Sequence, residues 1–217
     1  MSWLDAAPLE FPYYYACLIA VMLSWLGFTL AFVVFRPKTP PAAAPAPSTE
    51  APPRTRDSRA LIGILIQGIG YFLMWLSFRP PFPSLSRLPG PLALALAAFA
   101  VVLAWEAASF AIWAQRTLGR EWSFAARLVE GHRLVTAGPY AIVRHPIYTA
   151  MCGMWLATAL AVARPFGILL GFVPMIVGTL IRVKLEDALL RGGFGPEFDA
   201  WARRVPAVLP MPRRSTT

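Results

Sequence analysis

Apolar residues run along this chain in long stretches, divided by short polar, basic or proline-rich segments. A membrane-spanning helix needs roughly 17–25 mostly apolar residues. Tyr13 to Phe35 meets that length, and so do Ala60 to Phe78, fenced by Arg59 and Arg79, and Pro91 to Trp113. Ile147 to Ile181 is too long for one span at about 1.5 Å per residue. Arg164-Pro165 interrupts it near the middle, so it reads as two short helices joined by a tight turn. The pattern predicts an all-α integral membrane protein of about five transmembrane helices. Gly192-Gly193 predicts the end of the fifth helix. Pro196 opens a short amphipathic helix that stops before Val205-Pro206. This C-terminal helical segment is expected to complete a pocket at the membrane edge.

Composition supports that class. Of 217 residues, 57% are hydrophobic and 14% charged, against about 45–50% and 25% in soluble domains. The apolar content excludes a disordered chain. Two cysteines, Cys17 and Cys152, both within apolar runs, exclude a disulfide scaffold. One soluble core cannot bury so much apolar surface. The net charge is +9, and its distribution gives an orientation. With five spans, 17 of the 20 lysines and arginines fall in residues 36–59, 114–146 and 182–217, all on one side. The positive-inside rule puts that side in the cytoplasm and the N-terminus outside. The first span follows Asp5 and Glu10 with no positive charge, unlike a cleaved leader. Residues 1–36 hold the first span. Residues 37–59 form a cytoplasmic linker with seven prolines in 37–58, extended rather than folded. Residues 60–217 form the main domain, with a core at 132–210. The basic loops touch anionic lipid headgroups. No module presents basic and aromatic residues to nucleic acid, so a nucleic-acid partner is not expected.

The candidate chemistry clusters in two places. Gly138-Pro139-Tyr140 is a turn, and Arg144-His145-Pro146 with Tyr148 stands where the fourth span begins. Pro146 suits the first helical turn, whose free N–H groups attract anions. After the fifth span come Arg182, Lys184, Glu186 and Asp187. Arg182 and Glu186, four apart, share a helix face as a surface ion pair. Because the hairpin turn lies outside, both clusters meet inside and can converge as one pocket. Within the spans, Glu106 is expected to line a substrate cavity, since a mid-membrane charge is costly unless it faces one. Gln67 reads as an interhelical hydrogen bond, and Gly167-Ile-Leu-Leu-Gly171 as a close-packing motif between the fourth and fifth spans or toward another chain. Phe198 and Trp201 face lipid or the bundle. His132 and His145 have no zinc-type spacing. There is no dinucleotide fingerprint, P-loop or nucleophile elbow.

Residues Leu134 to Pro210, about a third of the chain, resemble the C-terminal core of the isoprenylcysteine carboxyl methyltransferase and phospholipid methyltransferase superfamily. The resemblance rests on Gly138-Pro139-Tyr140, Arg144-His145-Pro146 with Tyr148, Arg182 with Glu186-Asp187, Phe194-Gly195, and Val205-Pro206 with Leu209-Pro210, in the family's order. It implies a membrane methyltransferase that uses S-adenosylmethionine at the cytoplasmic face. By similarity, Gly138, Pro139, Tyr140, Arg144, His145, Pro146, Tyr148, Glu186 and Asp187 bind the cofactor. Arg182 and Glu186 carry the chemistry, and Arg182 orients the acceptor in its cavity. The partner is a lipophilic or lipid-linked substrate entering from the bilayer. Two departures stand out. Asp187 replaces a usual second glutamate, and Phe198 and Trp201 stand where tyrosines are common.

A carboxylate acceptor needs no general base at neutral pH. An amine or thiol would lose a proton, which Glu186 or His145 can take. Two other classes stay open at this level. One is an NADPH-dependent reductase of the sterol-reductase type, usually longer, which shares the Arg-His-Pro-x-Tyr layout. The other is a non-catalytic membrane scaffold. The alanine, arginine and proline content points to a bacterial inner membrane, which disfavours a prenylated-protein substrate.

Overall fold

The computed structural model describes residues 10–34, 59–77, 82, 85, 88–119 and 133–210. The proline-rich stretch 37–58, His132 and the C-terminal end lie outside the described residues. The regular elements are six α-helices: α1 (Glu10–Val34), α2 (Arg59–Leu76), α3 (Gly90–Leu118), α4 (Pro146–Val162), α5 (Pro165–Phe194) and α6 (Pro196–Arg204). A 3₁₀ turn at Gly138–Ala141 precedes α4. By length and composition α1, α3 and α5 can cross a membrane, while α2 and α4 are shorter apolar helices.

Proline opens α3, α4, α5 and α6 in the first turn, where its missing N–H costs nothing. The turn between α4 and α5 falls at Arg164-Pro165 as expected. The expected break at Gly192-Gly193 does not occur. Both glycines stay helical, and α5 ends at Gly195, whose φ of +51° suits a residue without Cβ. Glycines inside a helix cost only about 1 kcal/mol each, not enough to end a 30-residue helix. α5 is therefore 30 residues long rather than short. Its last 13 residues, from Arg182 onward, carry its charged side chains and reach beyond the apolar stretch 165–181.

Small residues set the packing. α3 buries Ala93, Ala97, Ala100, Ala104, Ala107, Ala108, Ala111 and Ala114, a seam that lets α1 and α4 approach closely. Trp25 on α1 ties that unit to α4 by an indole hydrogen bond to Thr158 at 2.8 Å. The Gly167–Gly171 motif packs mainly on α2, not α4. A Cβ at Gly171 would lie 2.7 Å from the Gly70 carbonyl, and one at Gly167 would collide with Ser77. α4 reaches Gly171 only through the ring of Trp155. The hairpin partner in sequence is thus not the close neighbour in space, because α2 carries the matching glycines.

Gly70→Ala should accordingly separate α2 from α5. Its Cβ would sit 2.8 Å from the Gly171 carbonyl and 2.9 Å from the Met175 amide, and overpacking against backbone costs about 1–3 kcal/mol. Gly68→Ala, with nothing within 4 Å, should be neutral or stabilising. Melting both variants in one detergent checks the contrast.

The outer surface is apolar. Ile19, Leu23 and Leu26 of α1, Leu65 and Phe72 of α2, Phe99 and Val102 of α3, and Leu169 and Val173 of α5 are all exposed. A belt of this kind is covered by lipid in a membrane protein. Glu106 lies on this outward face of α3 beside Trp105 and Val102.

Candidate active site

The site forms where the start of α4, the charged end of α5 and the C-terminal segment meet. Gly138 has φ +59°, and a Cβ there would press on Thr117 and Trp113 of α3. The turn thus seats directly on the end of α3 and buries Pro139 and Tyr140. The indole of Trp201 donates to the Tyr140 carbonyl at 3.1 Å. Phe198 and Trp201 are buried against Tyr140 and Ala114, so they face protein.

The backbone then zips to the C-terminal segment. The amides of Arg144 and His145 donate to the carbonyls of Pro206 and Ala207 at 2.8 and 2.9 Å. The Thr149 hydroxyl donates to Val208 at 2.5 Å. These bonds fix the residue before α4, so His145 and Arg144 project toward α5.

Arg144 grips Asp187 side-on, with Nη2 at 2.7 Å from Oδ2 and Nε at 3.4 Å from Oδ1. Its Nη1 donates to the Ala202 and Val205 carbonyls. One guanidinium so joins α5, α6 and the C-terminal segment. Glu186 and Asp187 are consecutive on α5, so their side chains diverge by about 100° and straddle one ring. His145 Nδ1 is 3.2 Å from Glu186 and Nε2 is 2.8 Å from Asp187. Tyr148 stacks on His145 with centroids 5.6 Å apart, and its hydroxyl donates to Glu186. The Arg182 guanidinium lies over the Tyr148 ring, 4.5 Å from its centroid. Its Nη1 donates to Gln67 Oε1 at 3.0 Å.

The structure therefore brings together Tyr140, Arg144, His145, Tyr148, Arg182, Glu186 and Asp187, with Pro146 at the helix start and Gly138 and Pro139 in the supporting turn. Lys184 points to solvent. Arg182 and Glu186 form no ion pair with each other. Arg182 turns to α2 and Glu186 to His145, because each finds a better-placed partner off the helix. Among the described residues no group of His, Cys, Asp and Glu is arranged to hold a metal ion. Two contributors escape a motif-based reading: Thr179, which binds Gln67 at 2.8 Å, and Gly63, which makes room for Arg182. The available signal was Gln67 itself, a polar residue inside a span with Gly63 one turn away on the same face.

Burial opposes a charge on His145, but hydrogen bonds and charge from Asp187 and Glu186 outweigh it, so His145 titrates above its ordinary value. Both ring nitrogens face carboxylates, which requires the imidazolium to donate twice. Burial would raise Asp187, but His145 and Arg144 pull it below the usual carboxylate range. Burial pushes the Tyr140 phenol up, and the charge of Glu186 adds to that. The His145 contribution to stability is complete below about pH 6.5 and is lost as pH rises through its raised folded value. The Asp187 contribution is complete above about pH 4 and is lost as pH falls through its lowered folded value. Unfolding scans should therefore show greatest stability between about pH 4 and 6.5, with shallower flanks in Asp187→Asn.

Residues 94–197 match the phospholipid methyltransferase family. That segment spans most of α3, all of α4 and α5, and every side chain of the cluster except Gln67. The nickel-cobalt-cadmium resistance protein NccN of Alcaligenes xylosoxydans xylosoxydans is 35% identical over 98 residues, 43% of this chain and 44% of that protein. The cobalt-zinc-cadmium resistance protein CzcN of Cupriavidus metallidurans is 35% identical over 103 residues, 43% of this chain and 44% of its own length. Protein-S-isoprenylcysteine O-methyltransferase B of Arabidopsis thaliana is 29% identical over 97 residues, 44% of this chain and 49% of its own. The chain spans just under half the length of each of these relatives. The motif order and the family match agree: segment 94–197 is similar to phospholipid methyltransferases and to an isoprenylcysteine O-methyltransferase.

Proposed function

We propose that the protein is an integral membrane methyltransferase that uses S-adenosylmethionine to O-methylate the carboxylate of a lipophilic acceptor. It does so at the cytoplasmic face of a bacterial inner membrane. In this reading α1 to α5 are five spans, with the N-terminus outside and the C-terminus inside. The observation that carries the acceptor class is Arg182. It is half-buried at the end of the apolar stretch, has no carboxylate partner among the described residues, and lies over Tyr148, whose hydroxyl donates to Glu186. A guanidinium so placed suits an anionic group such as a carboxylate.

The cofactor supplies, when bound, a methyl group on a positively charged sulfur. The donor set fits it. Glu186 keeps 29% of its side chain exposed beside an aromatic ring, suited to hydroxyl or ammonium groups and to a nearby positive charge. Arg144 and His145 have their polar atoms committed within the protein, so they hold Glu186 and Asp187 in place. Arg182 anchors the acceptor. Arg182 would hold the acceptor carboxylate against the methyl group that the bound cofactor would supply, with Glu186 holding the cofactor. No proton moves, so orientation supplies most of the catalysis, several kcal/mol of it.

Labelled methyl transfer tests this. Purified protein is given a prenylated N-acetylcysteine, its carboxamide, or phosphatidylethanolamine. Label in the acid alone is the expected result. Label in phosphatidylethanolamine alone would replace the carboxylate reading with phospholipid N-methylation, and no label from folded protein would overturn both.

A further inference from the structure

We propose that Gln67, on α2 and outside the family-matched segment, is the positioning residue for Arg182, and that α2 thereby sets selectivity for an anionic acceptor. This rests on the reading of Arg182 as the acceptor-binding residue.

The side chain of Arg182 passes over Gly63 on α2. A Cβ there would lie 2.6 Å from Arg182 Cγ and 3.1 Å from the Gly178 carbonyl. One turn along the same face, buried Gln67 receives Arg182 Nη1 at 3.0 Å. The amide cannot be reversed. The Thr179 hydroxyl donates to the Met175 carbonyl at 2.8 Å, so toward Gln67 it must accept, from Nε2 at 2.8 Å. That leaves Oε1 facing the guanidinium. The Tyr148 ring also packs on the guanidinium, its centroid 4.5 Å away.

All three contacts are neutral. They fix the guanidinium without cancelling its charge, which a carboxylate at position 67 would do. The Nε–Nη2 edge of Arg182 is left without a carboxylate. Arg144, one layer away, uses that same edge to grip Asp187. A carboxylate-bearing ligand can therefore take Arg182 as Asp187 takes Arg144. Gly63, Gln67 and Thr179 make a cradle whose purpose is clearest if its cargo is a cation kept free for an incoming anion.

The test uses Gln67→Glu, Gln67→Met and Gly63→Ala in the full chain. Two readouts are taken: thermal stabilisation by S-adenosylhomocysteine, and KM and kcat for the prenylated N-acetylcysteine. Thermal stabilisation by that acid alone, without cofactor, gives a measure independent of turnover. Gln67→Glu supplies an internal carboxylate, so KM for the acid should rise about ten- to a hundredfold with stabilisation by the acid lost. Gln67→Met and Gly63→Ala should raise KM less, and all three should keep the shift with S-adenosylhomocysteine. An unchanged KM in Gln67→Glu and Gln67→Met overturns the proposal, as does a fall in kcat alone. If Gln67→Met does not fold, the near-isosteric Gln67→Glu decides the same question. Wild-type protein that responds to S-adenosylhomocysteine but neither binds nor methylates the acid overturns the acceptor reading together with this one. Wild-type protein that ignores S-adenosylhomocysteine overturns the methyltransferase reading beneath them.

Discussion

His145→Ala is expected to unfasten the polar end of the bundle and lower stability by about 3 kcal/mol. The imidazolium is buried and bridges two carboxylates, at 3.2 Å to Glu186 and 2.8 Å to Asp187. Its removal leaves adjacent like charges on α5, with only Arg144 on one and Tyr148 on the other. Breaking a fully buried pair costs about 3–5 kcal/mol. Both carboxylates keep some solvent contact here, which favours the lower end. Glu186 would lose its position as well, so thermal stabilisation by S-adenosylhomocysteine should disappear. Unfolding of wild type and variant in one detergent measures the first effect. A loss below about 1 kcal/mol would mean that the cluster is solvated like an ordinary surface network.

Arg182→Gln is expected to lower kcat/KM for a carboxylate acceptor about a hundredfold, or about 2.7 kcal/mol of transition-state stabilisation. The loss should sit mainly in KM, because the guanidinium binds the acceptor before and during transfer alike. Arg182→Lys keeps the charge but not the fork, and should recover only part. Stabilisation by S-adenosylhomocysteine should survive in both, since Arg182 is tied to Gln67 and Tyr148 rather than to the carboxylate pair. Loss of that stabilisation in Arg182→Lys would instead assign Arg182 to the cofactor. Unchanged kcat/KM in Arg182→Gln would remove it from the acceptor site.

Hydropathy made the helices legible. Each of the five apolar helices begins within three residues of its expected start, because proline and charge punctuate the boundaries. Helix ends were harder to read. α3 runs on to Leu118 and α5 to Phe194, since charged continuations of a helix leave no hydropathic trace and Gly192-Gly193 imitates a stop. The association of the Arg144-His145 cluster with Glu186-Asp187 follows from the short α4–α5 hairpin, which returns the chain to the same end. Pairings across the bundle were not legible. The glycines of α5 match those of α2 rather than the sequence-adjacent α4, and Arg182 turns from Glu186 to Gln67. Such choices depend on which helices become neighbours. That is settled by complementary surfaces spread over Gly63, Gly70, Gly171 and Gly178, not by any local pattern. Glu106, deep in α3 by sequence, is exposed on that helix.

The most direct test of the central claim is ligand-induced thermal stabilisation of the detergent-purified protein, comparing S-adenosylhomocysteine with NADPH. A ligand that binds only the folded state stabilises it by about 2.7 kcal/mol at a hundred times its dissociation constant. A shift of that size with S-adenosylhomocysteine and none with NADPH is the predicted result. A shift with NADPH alone, or none with either ligand in protein that still melts cooperatively, would contradict it.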